Sequence, residues 1–349
     1  MRVLCITTVR NEGPFLLEWI AHHQAAGVTD FLIFSNDCDD GTGEMLDALA
    51  AAGEIVHLPQ TKTGSQSIQW QALRDAWKHH LRKEADWILV SDVDEFLNIH
   101  VTGHQVSDLL KALPDDTDAV ALSWRLFGNN DIVFATDAPV TAQFTTSAPA
   151  ECSYPIAATL FKSLIRADGP FNQLGVHRPN QKPRDKAGLP KWVDGSGQKM
   201  PEVFAANQKR LSLYSLPSGR SFAEMNHYSL RSAEAFLIKR DRGLPNRKDK
   251  EIDLTYWVER NFNTERNETI SAMRPATEKR LDALHRIRRV SGLHGRAVNW
   301  HHEKFKALVT RPDFHRLFSR IVLTGSSKVL SEQLTRQLVQ WYGEENRSQ

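Results

Sequence analysis

The sequence predicts an α/β fold, with a mostly parallel sheet flanked by helices and a C-terminal helical appendage. Three observations predict it. Strand and helix signals alternate through the first 100 residues; the strands are continuous apolar runs; and polar, acid-rich clusters follow the strands. Alternation implies right-handed βαβ units. Uninterrupted apolar strands imply a sheet covered on both faces. Ligands of such sheets collect beyond the carboxyl ends of the strands, where the acidic clusters stand.

The elements follow in order. Residues 3–9 read as a strand. Pro14 opens a helix with Leu16, Trp19, Ile20 and His23 on one face and Gly27 after it. Residues 31–34 form an apolar run too short for a helix. A second helix carries Met45, Leu46 and Leu49, and 54–58 form the third strand. Residues 66–82 give one helix, with Trp70, Leu73, Trp77 and Leu81 at helical spacing, and 87–90 are the fourth strand. Beyond 118 the pattern changes. Residues 119–127 and 159–165 read as strands, with long Pro/Gly-bearing stretches at 137–155 and 168–201, and loops of that length are usually functional or mobile. From about 232 the chain reads as helical, with a break at 292–295. The last helix places Leu330, Leu334, Leu338 and Trp341 on one face.

Composition limits the function classes. A length of 349 residues leaves room for one large domain or a domain with an appendage. With 41% apolar and 25% charged residues, collagen-like, disordered and disulfide-scaffold classes are excluded. No apolar run reaches the length of a membrane-spanning helix. Three cysteines (Cys5, Cys38, Cys152) do not suggest a disulfide framework. The apolar run before Arg10 is too short for a signal peptide, so a cytoplasmic protein is expected. Charge is unevenly spread. Residues 1–100 carry seven Lys/Arg against fifteen Asp/Glu, which suits a cation site and not a nucleic-acid surface. Residues 264–320 carry thirteen Lys/Arg against six Asp/Glu. The plainer reading of that segment is a solvated helical face; the alternative is peripheral contact with an anionic membrane at its inner face.

The central motif is Asp92-Val93-Asp94. In an extended segment, residues two apart point the same way. Two carboxylates on one side of a strand end suit a hard divalent ion, which keeps positions open for phosphate oxygens. Asp-x-Asp also occurs at 37/39 and 116/118. Asp116/Asp118 follow Pro114 in a loop and read as solvated, and the acids around Asp37 suit ligand hydrogen bonding. Only Asp92/Asp94 have a strong apolar strand before them and an apolar anchor, Phe96 and Leu97, after them.

The order of motifs makes the resemblance specific. A strand ends in Arg10-Asn11-Glu12. Glu18, Trp19, His23 and Gly27 follow, then Phe34-Ser35-Asn36-Asp37 with Asp40-Gly41-Thr42, and then residues 86–97 with Trp87 near the start and Asp94-Glu95-Phe96 near the end. This arrangement resembles the N-terminal half of a GT-A-fold glycosyltransferase, family-2-like and related to the family-92-type group. Looser likenesses at 124–128, 161–163, 175–179 and 226–232 extend it to about residue 245. The resemblance implies a Rossmann-like sheet, with 1–245 as the glycosyltransferase domain (1–100 nucleotide-binding, 101–245 acceptor-side) and 246–349 as a basic helical region.

The resemblance also implies roles. Asn11, with Glu12 beside it, and Asp37 or Asp39 would contact base and ribose. Asp92 would hold the ribose or a metal-bound water, and Asp94 would coordinate Mn²⁺ or Mg²⁺ directly. His227 matches the late histidine that supplies a metal or diphosphate contact. Lys162, Arg178 or Lys239 would stabilise the diphosphate, and His177, in a long loop, is a further substrate-side candidate. His23 reads as a helix residue bonded locally. The implied reaction moves a sugar from a nucleotide-diphosphate sugar to a hydroxyl of a carbohydrate or glycolipid acceptor, as in surface polysaccharide or glycolipid synthesis. An inverting course needs an acid to take the acceptor proton. Glu95, Glu151, Asp168 and Asp194 are the candidates, although Glu95 points away from the Asp pair if the strand runs straight.

Two other readings compete. A nucleotidyltransferase or sugar-nucleotide hydrolase would need a Gly-rich phosphate loop after the first strand, and Val9-Arg10-Asn11-Glu12-Gly13-Pro14 is not one. A non-enzymatic protein would bind anionic lipid or RNA through 264–320. No nucleic-acid partner is expected. The absence of a Gln-x-x-Arg-Trp motif disfavours a processive membrane synthase.

Overall fold

The computed structural model describes residues 1–243 and 252–345. The expected division at 245/246 falls outside the described residues. The first half is built as the alternation predicts: β1 (Val3–Val9), α1 (Gly13–Ala25), β2 (Asp30–Ser35), α2 (Thr42–Ala51), β3 (Val56–Pro59), α3 (Ile68–Lys78), α4 (His80–Glu84) and β4 (Trp87–Val90). Next come β5 (Glu95–Ile99), α5 (Val106–Ala112), β6 (Ala119–Leu126), α6 (Val140–Gln143), β7 (Thr146–Ser147), β8 (Phe161–Arg166), β9 (Phe171–Gln173) and β10 (Asn180–Gln181). They are followed by α7 (Arg184–Ala187), β11 (Trp192–Asp194), α8 (Glu202–Ala206), β12 (Ala223–His227), α9 (Ala233–Arg242), α10 (Leu254–Val258) and β13 (Glu265–Arg266). The C-terminal helices are α11 (Arg274–His285), α12 (Val290–Val309), α13 (Pro312–Leu323) and α14 (Glu332–Glu345).

One sheet runs in the order β3-β2-β1-β4-β8-β6-β12-β5, with β11 also on β6. Its first four strands are parallel, with Cys5 paired to Phe31 on one side and Leu89 on the other. β8 then runs antiparallel to β4 and β6. β12 is parallel to β6 and antiparallel to β5. The reversal at β8 has a consequence for the site: the amino end of β8 lies at the same sheet edge as the carboxyl ends of β1, β4 and β6.

Successive residues of β1 enter opposite cores, and both are dry. Val3, Cys5 and Val9 pack with Leu16, Trp19 and Ile20 of α1, in a cluster that includes Leu284 and Leu293 of the C-terminal helices. Leu4 and Ile6 pack with Ala72, Leu73 and Ala76 of α3. A third cluster joins α9 and α10 to Phe305 of α12 and to Phe314, Leu317 and Ile321 of α13. α11 lies along α1, and α12 lies against α9, α2 and α1.

Several local expectations change, among them the start of the last helix, which lies at Glu332 and leaves Leu330 outside it. The helix expected over 66–82 is split at His79, whose extended backbone (ψ 147°) ends α3 and whose Nδ1 accepts from Leu81 N–H. The third strand begins at Val56. Residues 156–159 form a 3₁₀ turn, and β8 starts at Phe161. The expected break at Gly292–Gly295 is absent: α12 runs through both glycines, and the chain turns instead at Arg289, which is left-handed (φ 73°). Two helical glycines cost roughly 1 kcal/mol each. Burial of Val290, Leu293, Ala297, Phe305 and Leu308 along one face offsets that cost. Among the described residues no helix is long and apolar enough to cross a membrane.

Candidate active site

Three loops meet at the carboxyl edge of the parallel strands. After β1 the chain turns sharply through Asn11 (φ 51°), a left-handed position that Asn tolerates better than most side chains. Asn11 Oδ1 accepts from Asp39 N–H at 2.8 Å, which binds the β1–α1 loop to the β2–α2 loop. Asp37 is also left-handed (φ 46°), and its carbonyl accepts from Arg10 Nε at 3.2 Å. The side chain of Asp37 is exposed and that of Asp39 lies on the same rim.

The third loop departs from the expected geometry. Residues 92–95 are not extended; Glu95 N–H donates to Asp92 O at 3.0 Å, so the chain turns. The two aspartates are therefore held by different partners. Asp92 Oδ2 is 2.9 Å from Lys162 Nζ, and its Oδ1 accepts from Gln69 Nε2 at 3.1 Å. The turn also brings Glu95 back, contrary to the straight-strand expectation: its Oε2 accepts from Asp92 N–H at 2.8 Å and lies 3.1 Å from Lys162 Nζ. Lys162, at the amino end of β8, is wholly buried among these acids. Burial pushes the Glu95 carboxyl up to about 8, against the pull of Lys162. Burial disfavours the Lys162 ammonium, but Asp92 and Glu95 outweigh it and hold its pKa above the usual lysine range.

Asp94 belongs to a second group. Lys239 of α9 donates to Oδ2 at 2.8 Å and also to Ser229 O at 2.8 Å. His227 Nε2, at the end of β12, stands 3.7 Å from Asp94 Oδ1. Burial raises the Asp94 carboxyl's pKa, yet Lys239 and His227 together hold it well below the usual carboxylate range. Burial keeps His227 on the neutral side of an ordinary histidine, with Asp94 opposing. Among the described residues its Nδ1 is buried without a partner.

Glu12 anchors a third group. It is buried between Arg231, whose Nη1 is 2.9 Å away, and Arg242, which also donates to Arg10 O at 2.9 Å. Burial works against its ionisation, but Arg242 and Arg231 hold the carboxyl below its ordinary pKa. The Arg231 guanidinium lies 3.5 Å over the Phe15 ring and donates to Val93 O at 3.2 Å, tying α9's leading turn to the Asp92–Glu95 turn. A small crevice is lined by Asn11, Glu12, Asp94, Ser229, Arg231, Lys239, Arg242 and His301.

Trp124 forms one wall of the neighbouring region. Its ring is 4.0 Å from His227 and 5.1 Å from His177 between ring centres. His177 Nδ1 bonds Phe161 O at 2.9 Å, and burial, with Lys162 nearby, pushes its pKa down to about 4. His177 is therefore neutral at the same edge as Lys162.

Other expected residues lie elsewhere. Asp168 is exposed beyond the far end of β8, next to Ala167, whose N–H donates to Asp86 O at 2.9 Å; that is the amino end of β4, the sheet edge opposite the crevice. Asp194 is buried and accepts from the N–H groups of Ser196, Gln198 and Gly219, so it holds a loop together. Glu151 is exposed in its loop. Arg178 donates to Phe204 O at 2.7 Å and Ala205 O at 3.1 Å, capping the carboxyl end of α8 and not the crevice. His23 Nδ1 bonds Trp19 O one turn back at 2.9 Å, a local helix contact as expected.

A divalent ion is implied by the resemblance. Asp94 Oδ1 and His227 Nε2 are donors suited to Mn²⁺ or Mg²⁺, and they face each other with the histidine's other nitrogen unpartnered. Among the described residues no three His, Cys, Asp or Glu side chains cluster as a metal site. These are two donor atoms, one on a carboxylate whose other oxygen is paired with Lys239, so an ion here would take most of its ligands from a bound diphosphate and water. Asp92, committed to Lys162 and Gln69, does not complete the pair.

The sequence model of glycosyltransferase family 92 matches residues 2–196. The chain belongs to glycosyltransferase family 92. A family 92 protein of Oryza sativa subsp. japonica is 33% identical over 113 residues, covering 31% of this chain and 18% of the relative. One of Ricinus communis is 29% identical over 149 residues, covering 41% of this chain and 26% of the relative. The matches thus span about a quarter or less of the length of these curated relatives. Among solved structures, S. aureus TarS 1-349 is 11% identical with a TM-score of 0.33, over 92% of this chain and 88% of that one. The Pyrobaculum calidifontis mannosyltransferase PcManGT, in complex with GDP-Man and Mn²⁺, is 11% identical with a TM-score of 0.29, over 92% and 85%.

Several contacts of this family 92 chain escape sequence reading. Arg231 lies within the likeness at 226–232 and Arg242 ten residues beyond it, but nothing local says that they reach Glu12, more than 200 positions earlier. Gln69 and His301 carry no sequence signal at all.

Proposed function

We propose that the protein transfers a sugar from a nucleotide-diphosphate sugar to an acceptor hydroxyl. One observation carries the reading: the crevice gathers Asn11 and Asp94 with Lys239, Arg231 and Arg242 at the carboxyl edge of the parallel strands, in a family 92 chain. Asn11, Glu12 and the Asp37/Asp39 rim bind base and ribose, and Asp92 supports the ribose or a water. Asp94 and His227 hold Mn²⁺ or Mg²⁺. When bound, the ion supplies charge neutralisation on the departing diphosphate. Lys239 and Arg242 add fixed positive charge beside it, and Lys162 keeps the Asp92–Glu95 turn in shape. Neutral His177 and Trp124 form the wall on the acceptor side. The transfer is inverting, with a carboxylate taking the hydroxyl proton.

The acceptor is a carbohydrate or glycolipid. The domain spans 1–245, and the basic segment 264–320 makes peripheral contact with an anionic membrane surface at the cytoplasmic face. Exposed Arg280, Arg286, Arg288 and Arg289 supply the charge for that contact. The test is product analysis. The protein is incubated with UDP-, GDP- and CDP-hexoses and a panel of oligosaccharide and glycolipid acceptors, with and without Mn²⁺. A glycosylated acceptor supports the reading. Sugar phosphate as the sole product, from every donor, replaces it with a hydrolase.

A further inference from the structure

We infer that His301, in the C-terminal helices, is a positioning residue for the donor: it fixes Asp40, and through Asp40 the loop that carries Asp37 and Asp39. The inference rests on the transfer reading above and deepens it.

The contact depends on an unusually close approach of α12. A Cβ at Gly13 would stand 2.5 Å from Ala297 Cβ, so α12 seats where α1 begins only because residue 13 has no side chain. His301 is one turn beyond Ala297 and on the same face. Its Nε2 is 3.2 Å from Asp40 Oδ2, and its ring meets Phe15 edge-on at 5.9 Å.

Asp40 is a junction. It is almost wholly buried. Oδ1 accepts from Thr42 N–H at 2.9 Å and from Thr42 Oγ1 at 2.6 Å, while Oδ2 accepts from Gly13 N–H at 3.0 Å. The β1–α1 loop, the β2–α2 loop and α12 thus meet on one carboxylate. Asp39 N–H, one residue before, is the group that Asn11 holds. Burial opposes the charge on Asp40, and His301 and Thr42 hold its carboxyl below the usual range. Arg296 of the same helix pairs with Glu44 at 3.2 Å, on the helix that follows the loop. His301 also lines the crevice itself, beside Asn11 and Asp94. It lies outside residues 2–196, the segment that carries the family match.

The experiment uses the full chain and two substitutions. His301→Phe keeps the ring against Phe15 and removes the N–H; His301→Gln keeps a donor. Calorimetry measures Kd for whichever UDP-, GDP- or CDP-hexose the wild type binds, and hydrogen–deuterium exchange follows segment 36–44 without ligand. His301→Phe is expected to weaken donor binding about tenfold, the scale of one hydrogen bond to a charged group, and to speed exchange in 36–44 with no change in β12. His301→Gln restores both to near wild type. The inference is overturned if His301→Phe binds as the wild type does with unchanged exchange, or if His301→Gln is no better than His301→Phe. Should His301→Phe not fold, His301→Gln against His301→Ala decides on the same readouts. If the wild type binds no donor of the panel, the transfer reading falls and the inference with it; if only the variants behave as the wild type, the inference alone falls.

Discussion

Lys239 Nζ lies 2.8 Å from Asp94 Oδ2, joining α9 to the turn after β4. Both side chains are largely buried, with 13% and 12% exposure. A buried pair of this kind makes each partner expensive to remove alone. Asp94→Asn is expected to keep the fold, to lower the melting temperature by several degrees and to reduce sugar transfer at least 100-fold. Circular dichroism, thermal melting and a transfer assay check the three parts.

The Asp92–Lys162–Glu95 group gives a stability prediction. Lys162→Met leaves Asp92 without its cation beside the buried Glu95, and breaking a buried ion pair costs about 3–5 kcal/mol. Glu95 keeps its proton up to about pH 8, so adding Glu95→Gln should recover part of the loss only at alkaline pH. Urea unfolding of the two single variants and the double variant measures the coupling.

Close packing at Gly13 is equally exposed to test. Gly13→Ala forces a contact with Ala297 Cβ that must be relieved by moving α12. Overpacking of this kind costs about 1–3 kcal/mol. Gly43, on α2, meets nothing within 4 Å and serves as the control, with Gly43→Ala close to neutral. Denaturant midpoints of the two variants check it.

Acid sensitivity should begin early. Burial pushes the pKa of His22 down to about 4 and that of His23 to about 3. His23 Nδ1 already donates to Trp19 O, and a second proton would sit on the buried, unpartnered Nε2. Their folded values lie below the unfolded value of about 6.5, so the unfolded chain takes up protons first as pH falls. The stability they contribute is present above pH 6.5 and is lost progressively toward pH 4 and 3. Melting temperature should fall from about pH 6.5 downward, and His23→Gln should flatten part of that slope.

How much of this was legible in the sequence follows from the range of each interaction. The first four strands and the helices between them were readable because their signals are local: apolar runs of four to seven residues, helical spacing, Pro14 and Gly27 at the ends. The acids at the strand ends were readable because parallel topology puts strand ends on one edge. The turn at 92–95 was not. Val93 favours extended backbone, no glycine or proline marks a reversal, and the turn is held by Glu95 and Lys162, which lie 67 positions apart in the chain. Asp168 misled because it belongs to the right half of the chain but to the wrong end of β8, and strand direction beyond β4 cannot be read from periodicity. The glycines at 292 and 295 misled because a buried helix face outweighs their intrinsic cost.

Asp94 and His227 are proposed to share a divalent ion with a donor diphosphate. A thermal-shift measurement with UDP-, GDP- and CDP-hexoses, with and without Mn²⁺, tests it most directly on the wild type and Asp94→Asn. One nucleotide-sugar and Mn²⁺ together should raise the wild-type melting temperature more than the sum of the two alone, and Asp94→Asn should lose this excess. An equal excess in Asp94→Asn, or full stabilisation by the nucleotide-sugar with Mn²⁺ chelated, would contradict the shared ion.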